Sequence, residues 1–448
     1  MNNYNFEFAD AYLGYWNIPN IGRKIPGTLY VAQHSIQLEL FWNNAITVNW
    51  NVVSSATGYA YTEINNRENC YYFVLKGLQL TFYSRFGRHQ SKYKLDVNHF
   101  FMSDRPRLST SGIINCCIRT HLMDKWVWDY TQSSYSDFLP FKKNDVIEIK
   151  YQAKPSLTLL ESTLYELYIK FSNGAYTPNA AGFCMSTHSF LNLRLKKKEK
   201  FDDALDLSES VIWLFSLLWN NQFNPDFIEF RTSKARFIYK QSDRYRYKYR
   251  DVNNNSLSTY ISDFDEEELS VIIEKWFRFV EKEPFSIENF FETQYNEHLS
   301  PSAKIKNYMS VIDGLIVGEK AEEIEVEHGF ADLLEKISKH INRKEYKMLH
   351  RQMFRPKPFT LKNKLSKVIE VLDSYVELDI EDDFCSKAVK TRNILTHVHT
   401  KAGKFYIKEQ YICLASCLEL LIMAFFLQQI GVSTKIAKKI IGIISSPK

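Results

Sequence analysis

Gly27-Thr28-Leu29-Tyr30-Val31 and Ser35-Ile36-Gln37-Leu38-Glu39-Leu40 alternate apolar and polar residues with period two. Successive side chains of a strand point to opposite faces, so this alternation predicts two neighbouring strands with one buried face. Working outward, residues 71–83 and 146–151 are rich in aromatic and β-branched side chains, and 164–171 and 190–195 follow the same pattern. Asn, Ser, Gly and Pro fill the intervals between them. Many strands with few helices predict an antiparallel sandwich-like or barrel-like domain over residues 1–200.

Near Phe201 the period changes. Residues 206–220 carry apolar side chains at helical spacing, 227–230 and 235–239 read as strands, and 251–256 as a loop. Residues 201–262 therefore form a mixed α/β connecting region. From 263 to 448 helices dominate. Acidic residues 265–268 sit in a first turn, where they complement the helix dipole. Helical periodicity recurs over 272–280, 303–317, 331–341, 361–375, 383–400 and 408–429, with Gly403 and Gly431 where helix stops belong. The fold class is α+β multidomain: a β-rich N-terminal domain followed by an all-α bundle.

The chain has 448 residues, enough for two or three domains with proper cores. A net charge of +5 is too mild to mark a nucleic-acid binder by itself, so charge placement has to decide that question. The seven cysteines are odd in number and irregularly spaced, and the N-terminus lacks a basic start and an apolar run. Free thiols in a reducing cytoplasm are the expectation. Residues 411–427 are the one membrane candidate, but Glu419 and the short length favour a buried core helix.

Chemistry concentrates in Lys390-Thr391-Arg392-Asn393-Ile394-Leu395-Thr396-His397. Arg-x4-His occurs once in the chain, and the spacing alone is a weak signal. Helical phase adds to it. At about 100° per residue, Phe384, Ala388, Leu395 and Val398 share a stripe that faces the core, with Asn393 and His397 together on the opposite side. A polar face turned toward a partner subunit or an RNA strand is one reading; a histidine beside an asparagine on an ordinary surface is the other. The residue types suit metal-independent RNA cleavage. Histidine can take a proton from a ribose 2′-OH or give one to the leaving 5′-oxygen. Arginine offers paired donors to a phosphorane, and asparagine can orient phosphate without adding charge. The products would be a 2′,3′-cyclic phosphate and a 5′-hydroxyl. One chain supplies one such histidine, so the acid and base roles call for a second copy.

Arg392-Asn393-x-Leu395-x-His397 in an all-α C-terminal domain resembles the HEPN ribonucleases. Gly14-x-Trp16-x-x-Pro19, Pro26-Gly27-x-Leu29 and Ile36-x-Leu38-x-Leu40 resemble the N-terminal domain of ApeA-like abortive-infection proteins, as does the Leu-Phe-Ser-Leu-Leu run at 214–218 with Asn224-Pro225. The resemblance implies anti-phage defence by RNA cleavage, with tRNA as a target, a phage protein as a trigger, a homodimer or higher homo-oligomer, and Arg392, Asn393 and His397 as catalytic residues. It implies no cofactor. Asp313 is a candidate secondary acidic position, with a solvated or capping carboxylate as the alternative.

Other clusters are weighed on their chemistry. Residues 244–250 alternate cations and tyrosines, so Arg244 and Arg246 are candidate RNA contacts or the solvated face of a half-buried strand. Lys387 and Lys390 share the motif helix and either draw phosphate or simply keep it soluble. The basic run 194–200 reads as an exposed hinge. Cys413 and Cys417 lack further ligand-type residues at metal-finger spacing, so buried thiols are expected rather than a metal site. Cys116 and Cys117 have no evident role.

Overall fold

The computed structural model describes residues 8–19, 21–32, 35–42, 54–64, 67–86, 90–104, 111–127, 156–179, 182–242, 257–296, 298–316, 336, 360–397 and 404–447. It separates into two compact units: Met1–Arg278 with Tyr295–His298, and Phe279–Gln294 with Leu299–Lys448. The α+β multidomain class expected from the sequence is what the chain adopts. The expected strand at 146–151 and helix at 331–341 lie outside the described residues, apart from helical Lys336.

Among the described residues the first unit is built on twelve antiparallel strands: β1 Ala11–Ile18, β2 Gly22–Val31, β3 Ile36–Trp42, β4 Ser55–Ile64, β5 Arg67–Phe86, β6 Gln90–Ser103, β7 Ser111–Arg119, β8 Leu157–Glu161, β9 Tyr165–Asn179, β10 Gly182–Lys200, β11 Phe227–Thr232 and β12 Arg236–Gln241. Their order is β3-β2-β1-β4-β5-β6-β12-β11-β7-β10-β9-β8, and β3 also pairs with β6. That extra pairing closes the first six strands into a barrel. One edge of β6 serves both purposes: residues 91–96 pair with β3, and 99–103 pair with β12. The sheet thus leaves the barrel along the same strand that closes it.

Period-two alternation fills the barrel. Trp16, Leu29, Leu38, Phe73, Leu95 and Phe100 are buried in one cluster. The Trp16 ring fits because Gly58 has no side chain; a Cβ there would lie 2.6 Å from it. The strands are longer than the short ones read from sequence. β5 runs for 20 residues, with a register shift between Leu80 and Phe82 that lets it bend around the barrel.

Residues 201–262 were expected to connect two domains. Their strands β11 and β12 instead lie inside the sheet, between β6 and β7. Sequence periodicity identifies strands but not their partners, and these partners are more than a hundred residues away. Helices α1 His121–Trp126, α2 Phe201–Trp219 and α3 Glu266–Lys282 complete the described helices centred on this unit. Phe201 sets its ring against Phe101 and Phe230 at 4.9 and 5.0 Å, which fixes α2 on the outer sheet surface. Ser208, Ser210 and Ser216 are buried in α2 and satisfy their hydroxyls by donating to carbonyls four residues back. Cys116 and Cys117 are core residues of β7, and burial pushes both thiols up to about 12.

The second unit contains α4 Pro284–Tyr295, α5 Pro301–Leu315, α6 Leu361–Leu372, α7 Phe384–Thr396, α8 Tyr411–Gln429 and α9 Thr434–Ile441. Two three-residue strands, β13 Glu377–Asp379 and β14 Ile443–Ser445, pair in parallel and were not anticipated. The α8 helix is apolar on every side because it packs on α5, α6 and α9. It is long and apolar enough to cross a membrane, yet eleven of its residues, from Leu414 to Leu427, are buried in this unit. Gly431, at φ 78°, stops it where the sequence placed a stop.

Candidate active site

The α7 helix presents Phe384, Ala388 and Thr391 to the interior, against α5 and α6. Leu395 is half-buried, and Val398 lies outside the described residues. Of the expected stripe, Phe384 and Ala388 are buried, and Thr391 joins them. Two hydrogen bonds satisfy Thr391 in its buried place. Its hydroxyl donates to the Lys387 carbonyl at 2.8 Å and accepts the Tyr406 backbone N–H at 2.9 Å. The second bond ties the segment after the motif back onto α7.

The helix ends earlier than the sequence indicated. Thr396 is its last residue, and His397 is the C-cap with extended backbone, φ −126° and ψ 124°. The backbone N–H of His397 still reaches the Asn393 carbonyl at 2.8 Å. Its side chain is exposed, as helical phase predicted, but it leaves from an extended residue rather than from a helical face. The physical cause is the run Thr396-His397-Val398-His399-Thr400, whose residues all rank low in helix propensity.

Arg392 and Asn393 are half-buried in the last turns of α7. The Arg392 guanidinium donates through Nη1 to Asn393 Oδ1 at 3.2 Å. One amide oxygen thereby holds the arginine, while the asparagine Nδ2 remains a donor in its own right. Thr396 donates its hydroxyl to the Arg392 carbonyl at 2.8 Å, tightening the same turn. The arrangement offers a forked cation, a neutral amide and an imidazole within six residues of one helix end. That set can bind a phosphate and move a proton beside it.

The other sequence candidates fall out differently. Lys387 is committed to Glu381 and Asp383, at 2.6 and 2.9 Å, and lies over the Tyr406 ring at 5.7 Å. Its pKa is raised by the hydrogen bonds to Glu381 and Asp383, and the Lys387 ammonium holds the Asp383 carboxyl below its ordinary value. These contacts make Lys387 a strut at the start of α7. Lys390 is half-buried. Asp313 is bound by Lys364, whose ammonium meets both its carboxylate, at 2.7 Å, and its carbonyl, at 2.6 Å. That pair links α5 to α6. Arg244 and Arg246 lie outside the described residues. Cys417 is buried and its thiol is pushed up to about 12, whereas Cys413 is exposed. Among the described residues no three His, Cys, Asp or Glu side chains gather as a metal-ligand set.

One polar group escaped the sequence reading as a structural element. Glu419 on α8 accepts the Tyr308 hydroxyl at 2.9 Å and the Gln294 amide at 3.1 Å. Burial, reinforced by Glu419, raises the Tyr308 pKa, so Tyr308 keeps its proton and acts as donor. Glu419 was visible only as the single acid in an apolar run; its partners lie more than a hundred residues upstream.

Comparison with known proteins adds a family to this geometry. Residues 306–436 match the family described as Apea-like HEPN, a span that runs from within α5 into α9 and includes the whole motif. No curated protein and no solved structure matches the chain. The family supports a nuclease or RNA-related role in antiviral defence. The helical C-terminal region, with Arg392, Asn393 and His397 at one helix end, is similar over residues 306–436 to the Apea-like HEPN family.

Proposed function

We propose that the chain is a metal-independent endoribonuclease of anti-phage abortive infection, acting on RNA, with tRNA as the leading substrate. The observation that carries the reading is the exposed end of α7, where Asn393 holds the Arg392 guanidinium one turn from His397. In this scheme the imidazole takes the proton of a ribose 2′-OH. The 2′-oxygen then attacks the adjacent phosphorus, and the P–O5′ bond breaks as the leaving oxygen takes up a proton. Arg392 neutralises charge on the non-bridging oxygens, which is where a forked donor gains most. Asn393 has two tasks: its oxygen orients Arg392, and its Nδ2 can donate to phosphate or ribose.

The base and the acid must be different groups at the moment of transfer. A second copy of the chain would supply the second histidine, so the active species is proposed to be a cytoplasmic homodimer. A phage protein is the proposed trigger. A non-catalytic, RNA-binding HEPN scaffold is the competing reading, and the intact Arg-Asn-His set argues against it.

The test is cleavage of a tRNA pool by purified protein in EDTA, with the new ends identified chemically. Ends carrying 2′,3′-cyclic phosphate and 5′-hydroxyl are expected. Cleavage that appears only with added Mg²⁺, or ends with 5′-phosphate, would overturn the mechanism.

A further inference from the structure

The segment between α6 and α7 is fastened by residues that follow α8. Tyr375 donates its buried hydroxyl to the Val432 carbonyl at 2.7 Å. β13 then pairs with β14, Glu377 with Ile443, Leu378 with Ile444 and Asp379 with Ser445. Ser446 closes the pairing. Its backbone N–H donates to the Asp379 carbonyl at 2.9 Å, and its hydroxyl oxygen accepts the Glu381 N–H at 3.2 Å. Ile444 and Ser446 are both buried, and β14 lies against α8. A parallel pair of three residues has little strength of its own, so these two side chains supply much of what keeps it closed.

Glu381 joins this pairing to α7. Its backbone N–H is on Ser446, and its carboxylate meets Lys387 at 2.6 Å. Lys387 also holds Asp383 at the start of α7 and lies over the Tyr406 ring. Tyr406 in turn gives its N–H to Thr391, the residue before Arg392. The chain enters β14 through Gly442, at φ 69° and ψ −140°, a conformation left almost entirely to glycine. Nothing lies within 4 Å of where a Cβ would stand there. One methyl group would therefore strain this turn without a clash.

We propose that Ser446 is a positioning residue, and that β14 is a latch which sets the start of α7 and so the place of Arg392, Asn393 and His397 at its end. An ordinary buried serine would stabilise the strand pair and leave α7 alone. Here Glu381 is held from one side by its backbone and holds Lys387 on the other with its side chain, so the two are tied. The thirteen residues of α7 span about 20 Å, and a tilt of about 3° at its start moves its far end by about 1 Å. A displacement of that size at a reacting group can lower a rate by about 10². The effect on rate rests on the cleavage reading; the effect on α7 does not.

The test uses the full-length chain, with hydrogen exchange read residue by residue and kcat and KM measured on a tRNA pool. Ser446→Ala should open the Glu381 amide to exchange, speed exchange along α7 and leave α8 protected. In the same protein kcat should fall by about tenfold or more, while KM moves by less than about threefold. Gly442→Ala, which removes no contact, should act in the same direction. Ser446→Thr keeps the accepting oxygen and should restore both readings. Wild-type kcat in folded Ser446→Ala and Gly442→Ala proteins overturns the proposal, and so does a loss of kcat with α7 protection unchanged. A wild-type chain that cuts no RNA sinks the nuclease reading alone. Exchange along α7 then decides the latch, and unchanged protection in both variants overturns it.

Discussion

His397 is one residue past the last turn of α7, exposed, with an extended backbone. Removing its imidazole therefore takes away no core packing. His397→Ala should change stability by about 0.5 kcal/mol or less, as for surface positions generally. If the imidazole transfers protons, cleavage should fall by about 10²–10⁴. Arg392→Lys tests a different property. Lysine keeps the charge but loses the fork that both holds Asn393 and meets phosphate, so a loss of about 10² is expected. Cleavage and melting temperature measured together decide both cases. A folded His397→Ala protein that cuts at the wild-type rate would remove His397 from the site. At this scale the sequence was informative about chemistry and poor about geometry. Residue types and spacing pointed to Arg392, Asn393 and His397, but the end of the helix hung on the weak propensities of residues 396–400, which a periodicity argument passes over. Lys387 misleads for a related reason. A cation on the motif helix looks available until Glu381 and Asp383 are seen to hold it.

The α7 element depends on Thr391 as much as on its apolar stripe. Thr391 is fully buried and supplies the acceptor for the Tyr406 backbone N–H, which is itself buried. Thr391→Val keeps the volume and removes both hydrogen bonds. The threonine's own donor leaves with it, but the Tyr406 N–H stays behind without a partner, and such an orphan costs about 1–3 kcal/mol. Hydrogen exchange gives the specific readout. The Tyr406 amide should lose protection in Thr391→Val while amides in α8 keep theirs. Unchanged protection at Tyr406 would show that the clamp is not what holds this segment. Sequence periodicity could not have found the clamp, because a β-branched polar residue on the inner face reads as a flaw in the stripe until its partner is known. Helix stops were easier to find. Gly431 was legible because glycine alone adopts a positive φ without strain, and the structure uses it so.

At the scale of the molecule, the division between β-rich and helical halves was legible because period two and period 3.6 are distinct signals. The boundary was not, because β11 and β12 follow α2 in the chain but take their places beside β6 and β7. This matters for any attempt to free the helical region from its N-terminal region. Deleting residues 1–200 would leave β11 and β12 without their outer neighbours and expose Phe227, Phe230 and Phe237, all now buried. A fragment covering 201–448 should therefore aggregate, and its failure would say nothing about regulation. A fragment covering 279–448 leaves behind the α3 residues that pack in the first unit, where Trp276 donates to the Ser210 carbonyl and Phe277 lies against the Tyr165 ring. It retains Phe279, which packs against Phe426 at 5.4 Å. This shorter fragment should be soluble, monodisperse and helical by circular dichroism. If the β-rich unit restrains the nuclease until a phage signal arrives, expression of 279–448 should arrest growth more strongly than the full chain, and His397→Ala should relieve the arrest. A folded 279–448 fragment that is inert, beside a full-length chain that cuts constitutively, would instead make the β-rich unit a required part of the enzyme.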